Sequence, residues 1–285
     1  MRWVGNNRAM APKGVKIKFY GVRGSIPVPG PGTVRVGGNT SCVLYSVGDQ
    51  HIILDCGSGM RTLSSDMLAH KAPVRASVLL THYHWDHLLG LPFFVPIYQP
   101  STELTFYGER KGGVGPKEEI QKQFTGPNFP VERKDLSSQL DFVDVKPDDT
   151  FEIGEVKITV LRLNHPNLCV GYRLDCRGTR VVYTTDHEHG DAKLDDKLIE
   201  MAHGADCLTY DAMYTRDEYD KSSRGWGHST WEQGVRIATA AEVKNLFLFH
   251  HEPDRGDEAV DAIEADATRA FRGAIAAREG FEYLY

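Results

Sequence analysis

The stretch THYHWDHLLG, residues 81–90, places His82, His84, Asp86 and His87 within six positions. It follows the apolar run ASVLL, which reads as a β-strand ending near Thr81. Residues two apart on an extended chain face the same way, so His82 and His84 can grip one metal ion together. A turn after them would swing Asp86 and His87 toward a second ion. Neutral imidazoles with a carboxylate suit Zn²⁺ or a similar first-row divalent ion. The bland alternative is a polar loop of solvated histidines. Four ligand-type side chains at one strand end argue against it.

The elements that must position such a cluster follow from the hydrophobic pattern. VKIKFYGV (15–22) alternates as a strand, and the Gly/Pro-rich stretch 23–41 after it must be loop. CVLYSVG and HIILDCG read as a hairpin turning at Gly48-Asp49-Gln50. ELTFYG, LDFVDV, VKITVLRLNH, CVGYRLDC, RVVYTTDHE, DCLTYDAMY and LFLFHH are further strands. DAKLDDKLIEMAHGA reads as a helix. Ser229 and Glu232 form a capping box for another, with Trp231, Val235 and Ala238 on one face. A last helix is expected from Asp257 to Glu279, with Val260, Ile263, Ala267, Phe271 and Ala274 inward. Residues 109–135 mix Gly, Pro and charge with Phe124 and Phe129, which reads as a helix plus an irregular flap. Two packed sheets with outer helices fit this order better than one parallel sheet. Neither GxGxxG between a strand and a helix nor a P-loop is present. The expected organisation is a flexible tail over 1–14 and one domain over 15–285.

The 285 residues are 41% hydrophobic and 25% charged, with a formal net charge of −6. That balance lacks the basic footprint of a general nucleic-acid binder, although bound metals could still attract a phosphate. Five scattered cysteines without a CxxC pair read as reduced thiols and place the chain in the cytoplasm. No apolar run is long enough to span a membrane, and MRWVGNNRAMAPKG lacks the apolar core of a signal peptide.

His-x-His-x-Asp-His entered from an apolar strand resembles the metallo-β-lactamase superfamily. The resemblance runs from Val15 to the last helix and implies an α/β fold, an αββα four-layer sandwich. ILDCGSG looks like the family's first motif, with Asp55 supporting the metals. His165 in LNHP, Asp186 in YTTDHE and His250 in LFLFHH match the third histidine, the bridging aspartate and the final histidine. The resemblance therefore assigns His82, His84 and His165 to one ion, Asp86, His87 and His250 to the other, and Asp186 to both. His251 competes with His250 for the last position. His187 and His189 are expected to be exposed loop residues. The ions would be zinc foremost, with manganese or iron as alternatives.

GHSTWEQGVRIATAAEVKNLFLFHHEP resembles the branch of tRNA 3'-processing endonucleases and related phosphodiesterases. The histidine of that motif, here His228, faces the substrate phosphate with an acid behind it, here Asp211. The start FYGVRGSIPVPGPGTVRVGGNTS looks like a subgroup akin to cyclic-nucleotide and phosphonate-pathway phosphodiesterases, with Asn39 near the metals. One hairpin joins His165 to Asp186, leaving no room for the tRNA-binding arm of the processing enzymes.

These features imply a phosphodiesterase for a small, possibly cyclic, nucleotide. Asp86 would orient the attacking hydroxide, and His228–Asp211 would supply the acid. Phe124 and Phe129 could lie on a substrate lid or simply pack a long loop. A carboxyl-ester, thioester or lactone hydrolase is the main rival, beside a tRNA endonuclease and a metal-keeping sensor without turnover. No stable nucleic-acid or membrane partner is expected, and a homodimer stays open.

Overall fold

A computed structural model describes residues 14–285. Apart from Gly14, the tail expected over 1–14 lies outside the described residues. The strands are β1 Val15–Gly21, β2 Cys42–Val47, β3 Gln50–Leu54, β4 Arg75–Leu79, β5 Glu103–Glu109, β6 Gln139–Val145 and β7 Thr150–Ile153. They continue with β8 Val156–Leu163, β9 Cys169–Cys176, β10 Thr179–Thr184, β11 Cys207–Asp211, β12 Leu246–Phe249, β13 Ala274–Ala276 and β14 Glu282–Leu284. The helices are α1 Met60–Ala69, α2 Pro116–Gln123, α3 Ala192–Ala202, α4 Arg216–Glu218, α5 Trp231–Ala240 and α6 Asp257–Ala270.

Two seven-stranded sheets form, in the orders β14-β1-β2-β3-β4-β5-β6 and β13-β12-β11-β10-β9-β8-β7. In each, antiparallel hairpins lead into a parallel run: β3 to β6 in the first, β10 to β13 in the second. Period-two alternation sorts the side chains. Ile17, Phe19, Val43 and Tyr45 meet Ile158, Tyr172, Phe247 and Phe249 between the sheets. Leu44 and Ile53 turn outward to Leu63 and Met67 of α1, while Leu246 and Leu248 turn outward to Ile237 of α5 and Ala267 of α6. Each such buried Leu, Ile or Phe contributes about 1.5–3 kcal/mol. The four layers match the expected αββα sandwich. All five cysteines are buried and unpaired. Among the described residues no helix is long and apolar enough to cross a membrane.

Three expectations change. The last helix stops at Ala270, because the chain turns at Phe271–Gly273 and Ala274–Ala276 adds a strand beside β12. The cap of α5 is Thr230, whose hydroxyl accepts from Gln233 N, while Ser229 is buried against Tyr210 and His189. Phe124 is buried among Ile120 and the helices on the outer face of the first sheet. Phe129 is partly buried there, edge-on to Phe124 and Phe93. Those rings hold segment 109–135 onto the sheet, so Phe124 has no free face to stack a base.

Candidate metal centre

The centre lies where strands of both sheets end. Asp55 follows β3, and His82 and His84 follow β4. His165 follows β8, Asp186 follows β10 and His250 follows β12. Crevices at the carboxyl ends of parallel strands are the usual ligand site of α/β sheets. Asp55, Asp186 and His250 all have left-handed backbones, with φ of 61°, 55° and 60°. For non-glycine residues that geometry costs on the order of 1–3 kcal/mol each, and it concentrates at functional sites.

After Leu79 the chain leaves the sheet, and Trp85–His87 form a single 3₁₀ turn closed by His87 N donating to His84 O. The turn brings Asp86 and His87 round beside the first pair, as the spacing implies. Two groups result: His82, His84 and His165, and Asp86, His87, Asp186 and His250, with donor atoms within 4.8 Å of one another in each. Asp186 stands between them. Its Oδ1 lies 3.8 Å from His82 Nε2 and 3.7 Å from His165 Nε2. Its Oδ2 lies 3.2 Å from His87 Nε2 and 3.4 Å from His250 Nε2.

The outer nitrogens fix the tautomers. His87 Nδ1 pairs with Asp55 Oδ2 at 2.9 Å, and Asp55 is itself held by Thr81 N and Tyr183 Oη. His165 Nδ1 donates to Gly227 O at 2.7 Å, which leaves Nε2 as a lone pair. That lone pair faces His84 Nδ1 at 3.2 Å. Two nitrogens bound tetrahedrally to one zinc ion at ~2.0–2.1 Å would be about 3.3 Å apart. The Nε2 atoms of His82 and His87 are buried without a hydrogen-bond partner. Orphaned imidazole nitrogens converging on carboxylates are a donor set that fits divalent ions.

Burial pulls His82 well below its ordinary pKa, lowers His84 and brings His165 down to about 4, which favours the neutral form that metal ligation needs. Burial also opposes charge at His87, but Asp86, Asp186 and Asp55 overcome it and hold the ring above its usual value. Burial works against ionisation of Asp186 too, yet His250, His87 and His82 keep it well below the carboxylate range. The carboxylates of the second group thus attract positive charge, which a divalent ion would supply in place of the proton on His87.

His228 lies beside these seven residues, with a ring nitrogen within 4.8 Å of donor atoms of His165 and Asp186 and of Asp211 and His250. Its Nδ1 pairs with Asp211 Oδ2 at 2.8 Å, and its ring stacks on His250 at 4.8 Å. Burial lowers its pKa, but Asp211 prevails and raises it to about 9. His228 lines an open cavity of about 410 Å³ together with Ser25, Tyr83, His84, Trp85, Asp86 and Asp186.

Other histidines are placed differently from expectation. His251 is buried and bonded to Ala277 O, which leaves the centre to His250. His187 is buried, not exposed: Nδ1 accepts from Asn164 N and Nε2 meets Asp195. His189 is half-buried, against Ser229 Oγ and the Tyr219 ring. Asn39 is not among the residues lining the cavity. Its amide donates to Glu279 and accepts from Ser58, which fastens the loop.

The part of that loop touching the centre is Gly24–Ser25, which the motif reading missed. Ser25 N donates to Asp86 Oδ2 at 2.8 Å. A Cβ at Gly24 would lie 2.5 Å from the His250 ring, so only glycine fits. The cue was the glycine in GVRGS, whose need for close approach exists only once His250 is placed. Glu188 was also missed. It accepts from Gly225 N, Gly227 N and Tyr219 Oη, fixing the loop that carries His228.

Residues 50–251 match the β-lactamase superfamily domain. The chain belongs to that superfamily. Ribonuclease Z of Thermoplasma acidophilum is 25% identical, covering 94% of this chain and 96% of the relative. The probable metallo-hydrolase YhfI of Bacillus subtilis is 27% identical, over 94% and 98%. The YhfI crystal structure superposes with a TM-score of 0.74 at 24% identity, over 95% of this chain and 99% of that one. A diphosphatase from the PhnP family superposes at 0.67 and 20% identity, over 94% and 96%. The protein is a hydrolase of the metallo-β-lactamase fold, and its histidine and aspartate clusters are able to hold divalent metal ions.

Proposed function

We propose that this hydrolase is a phosphodiesterase acting on a small nucleotide-type diester, cyclic diesters included. The observation that carries the reading is His228 on the wall of the cavity beside the ligand groups, paired at 2.8 Å with the buried Asp211 behind it. An ester or lactone hydrolase on the same metals has no need of a phosphate-facing imidazolium. His82, His84 and His165 would hold one ion, Asp86, His87 and His250 the other, and Asp186 both, with zinc the best match to this donor set. Such ions supply a water acidified to near neutrality and positive charge for the phosphoryl oxygens.

The chain's own residues do the rest. Asp211 keeps the proton on His228 Nδ1 and favours the cation, so Nε2–H is free to donate into the cavity. There it stabilises the charge gathering on a non-bridging oxygen, or hands its proton to the departing alkoxide. A positioned acid of this kind contributes about 10²–10⁴-fold. Asp86, fixed by Ser25 N and held ionised by His87 and His250 against the cost of burial, orients the attacking water.

Ribonuclease Z relatives favour a second reading, a tRNA 3'-processing endonuclease. Against it, only the β9–β10 hairpin lies between His165 and Asp186. The alignment with ribonuclease Z spans 323 positions, more than the 285 residues of this chain, whereas that with YhfI spans 271. The ribonuclease therefore carries segments this chain lacks. The test is a panel on zinc- and manganese-loaded protein: bis(p-nitrophenyl) phosphate, cyclic nucleotides, precursor tRNA, a thioester and a lactone. Diesters should be turned over fastest. Faster cleavage of precursor tRNA at its 3' end would establish the second reading, and a preference for lactone or thioester would defeat both.

A further inference from the structure

The cavity wall carries an aromatic side chain that the mechanism leaves unused. Trp85 sits between His84 and Asp86 on the 3₁₀ turn, and its carbonyl accepts from Leu88 N at 3.0 Å and Leu89 N at 2.8 Å. Its backbone is therefore as fixed as the centre itself. Yet its side chain is 83% exposed, the most exposed large hydrophobic among the described residues. Folding gains little from an indole left in water, whereas a planar ligand laid on it would gain much.

The surroundings agree. Ile26 beside Ser25, Leu168 three residues after His165 and Trp226 two before His228 are also exposed. Three other loops of the site thus present apolar side chains to solvent. Charge points the same way: none of the seven residues lining the cavity is lysine or arginine. Lys111, the cation lying over the Tyr83 ring, gives its ammonium to Leu168 O. Among the lining residues the one imidazolium, His228, faces the reacting phosphate, and a cavity of about 410 Å³ exceeds what one phosphoryl group fills.

We infer that Trp85 forms a stacking subsite for the non-reacting half of the substrate, and that this half is a planar aromatic group such as a nucleobase rather than a further phosphate. The inference rests on the phosphodiesterase reading for its reaction and on the exposed indole for its chemistry.

The test compares pairs that share a phosphate and differ in the ring. Bis(p-nitrophenyl) phosphate and methyl p-nitrophenyl phosphate have the same leaving group. Adenosine 5'-phosphate and ribose 5-phosphate differ only in the base. In Trp85→Ala the ratio of kcat/KM, aryl over methyl, should fall about tenfold, and the affinity ratio of the second pair, by calorimetry, should fall similarly. Trp85→Phe should restore most of both, with metal content equal throughout. Ratios unchanged in Trp85→Ala overturn the subsite. So does a dimer in the wild type that becomes a monomer in Trp85→Ala by sedimentation, because the indole is then an interface residue. If the wild type turns over neither diester but the binding ratio still depends on Trp85, the phosphodiesterase reading falls and the stacking subsite stands.

Discussion

The two sheets furnish the centre in different ways. The first delivers four candidate ligands from one short segment, His82 to His87, whose geometry is set by local backbone bonds and by Asp55 beneath it. The second delivers His165, Asp186 and His250 from three separate strands, with His228 from a loop. Segments so far apart in sequence need clamps, and the residues after Asp186 provide them. His187 bonds Asn164 N and is anchored through Asp195 to Arg236. Asn164 and Glu188 exchange two bonds, Glu188 N to Asn164 O at 2.7 Å and Asn164 Nδ2 to Glu188 O at 2.8 Å. The Glu188 carboxylate then fixes Gly225 and Gly227, and Gly227 O receives His165 Nδ1. A contiguous site is held by its turn, and a dispersed one by hydrogen bonds between loops.

The largest break in this comparison is Asp186→Ala. Asp186 faces both groups, so the variant should lose both ions and fall to background activity, measured by elemental analysis and diester turnover. His250→Ala should lose chiefly the second ion. Equal loss from both variants would mean the groups do not act as two sites.

His228→Ala comes next. It should keep both ions and lower kcat on a diester by about 10²–10⁴-fold, less for substrates with very good leaving groups. Loss of a metal from this variant would make His228 a ligand.

Glu188→Gln separates the two modes of support. One acceptor oxygen remains, but the new amide nitrogen must face a backbone N–H. The loop should loosen, with metal stoichiometry kept and kcat reduced about 10- to 100-fold, in the range of groups that orient ligands. An unchanged kcat would show that the second sheet's loops hold themselves.

The same contrast explains what could be read from the sequence. The compact cluster was legible because one turn brings it together. His165, Asp186 and His250 were legible because each ends an apolar run in the order the family resemblance implies. Glu188 and Gly24 were not, since a carboxylate in DHEH or a glycine in GVRGS carries no local pattern until its distant partner is placed. Phe124 was ambiguous for a related reason: an aromatic in an irregular segment looks the same whether it faces substrate or Ile120. Short elements failed on length. Thr150–Ile153, Ala274–Ala276 and Glu282–Leu284 are strands of three or four residues, held by neighbours rather than by their own periodicity.

The smallest predicted effect concerns Asn39, which tethers the loop carrying Ser25. Glu279 accepts from Asn39 N at 2.6 Å and from Asn39 Nδ2 at 2.9 Å, and a Cβ at Gly37 would collide with its side chain. Burial raises the Glu279 pKa above its ordinary 4.5, with the Asn39 bonds pulling the other way. A carboxyl whose pKa is raised on folding contributes stability that is fully present below 4.5 and is lost as pH climbs through the folded value. Gln cannot ionise, so Glu279→Gln abolishes that loss, but one of the two bonds to Asn39 then faces an amide nitrogen. At pH 4.5 the variant should be less stable than wild type by about 1 kcal/mol, the worth of one hydrogen bond. At pH 8 the gap should narrow, because only the wild type bears the buried charge. Urea unfolding of chelator-treated protein at both pH values reads this without the metals. A gap that widens toward pH 8 would mean that the Asn39 bonds outweigh burial and that the charged form is the one the loop prefers.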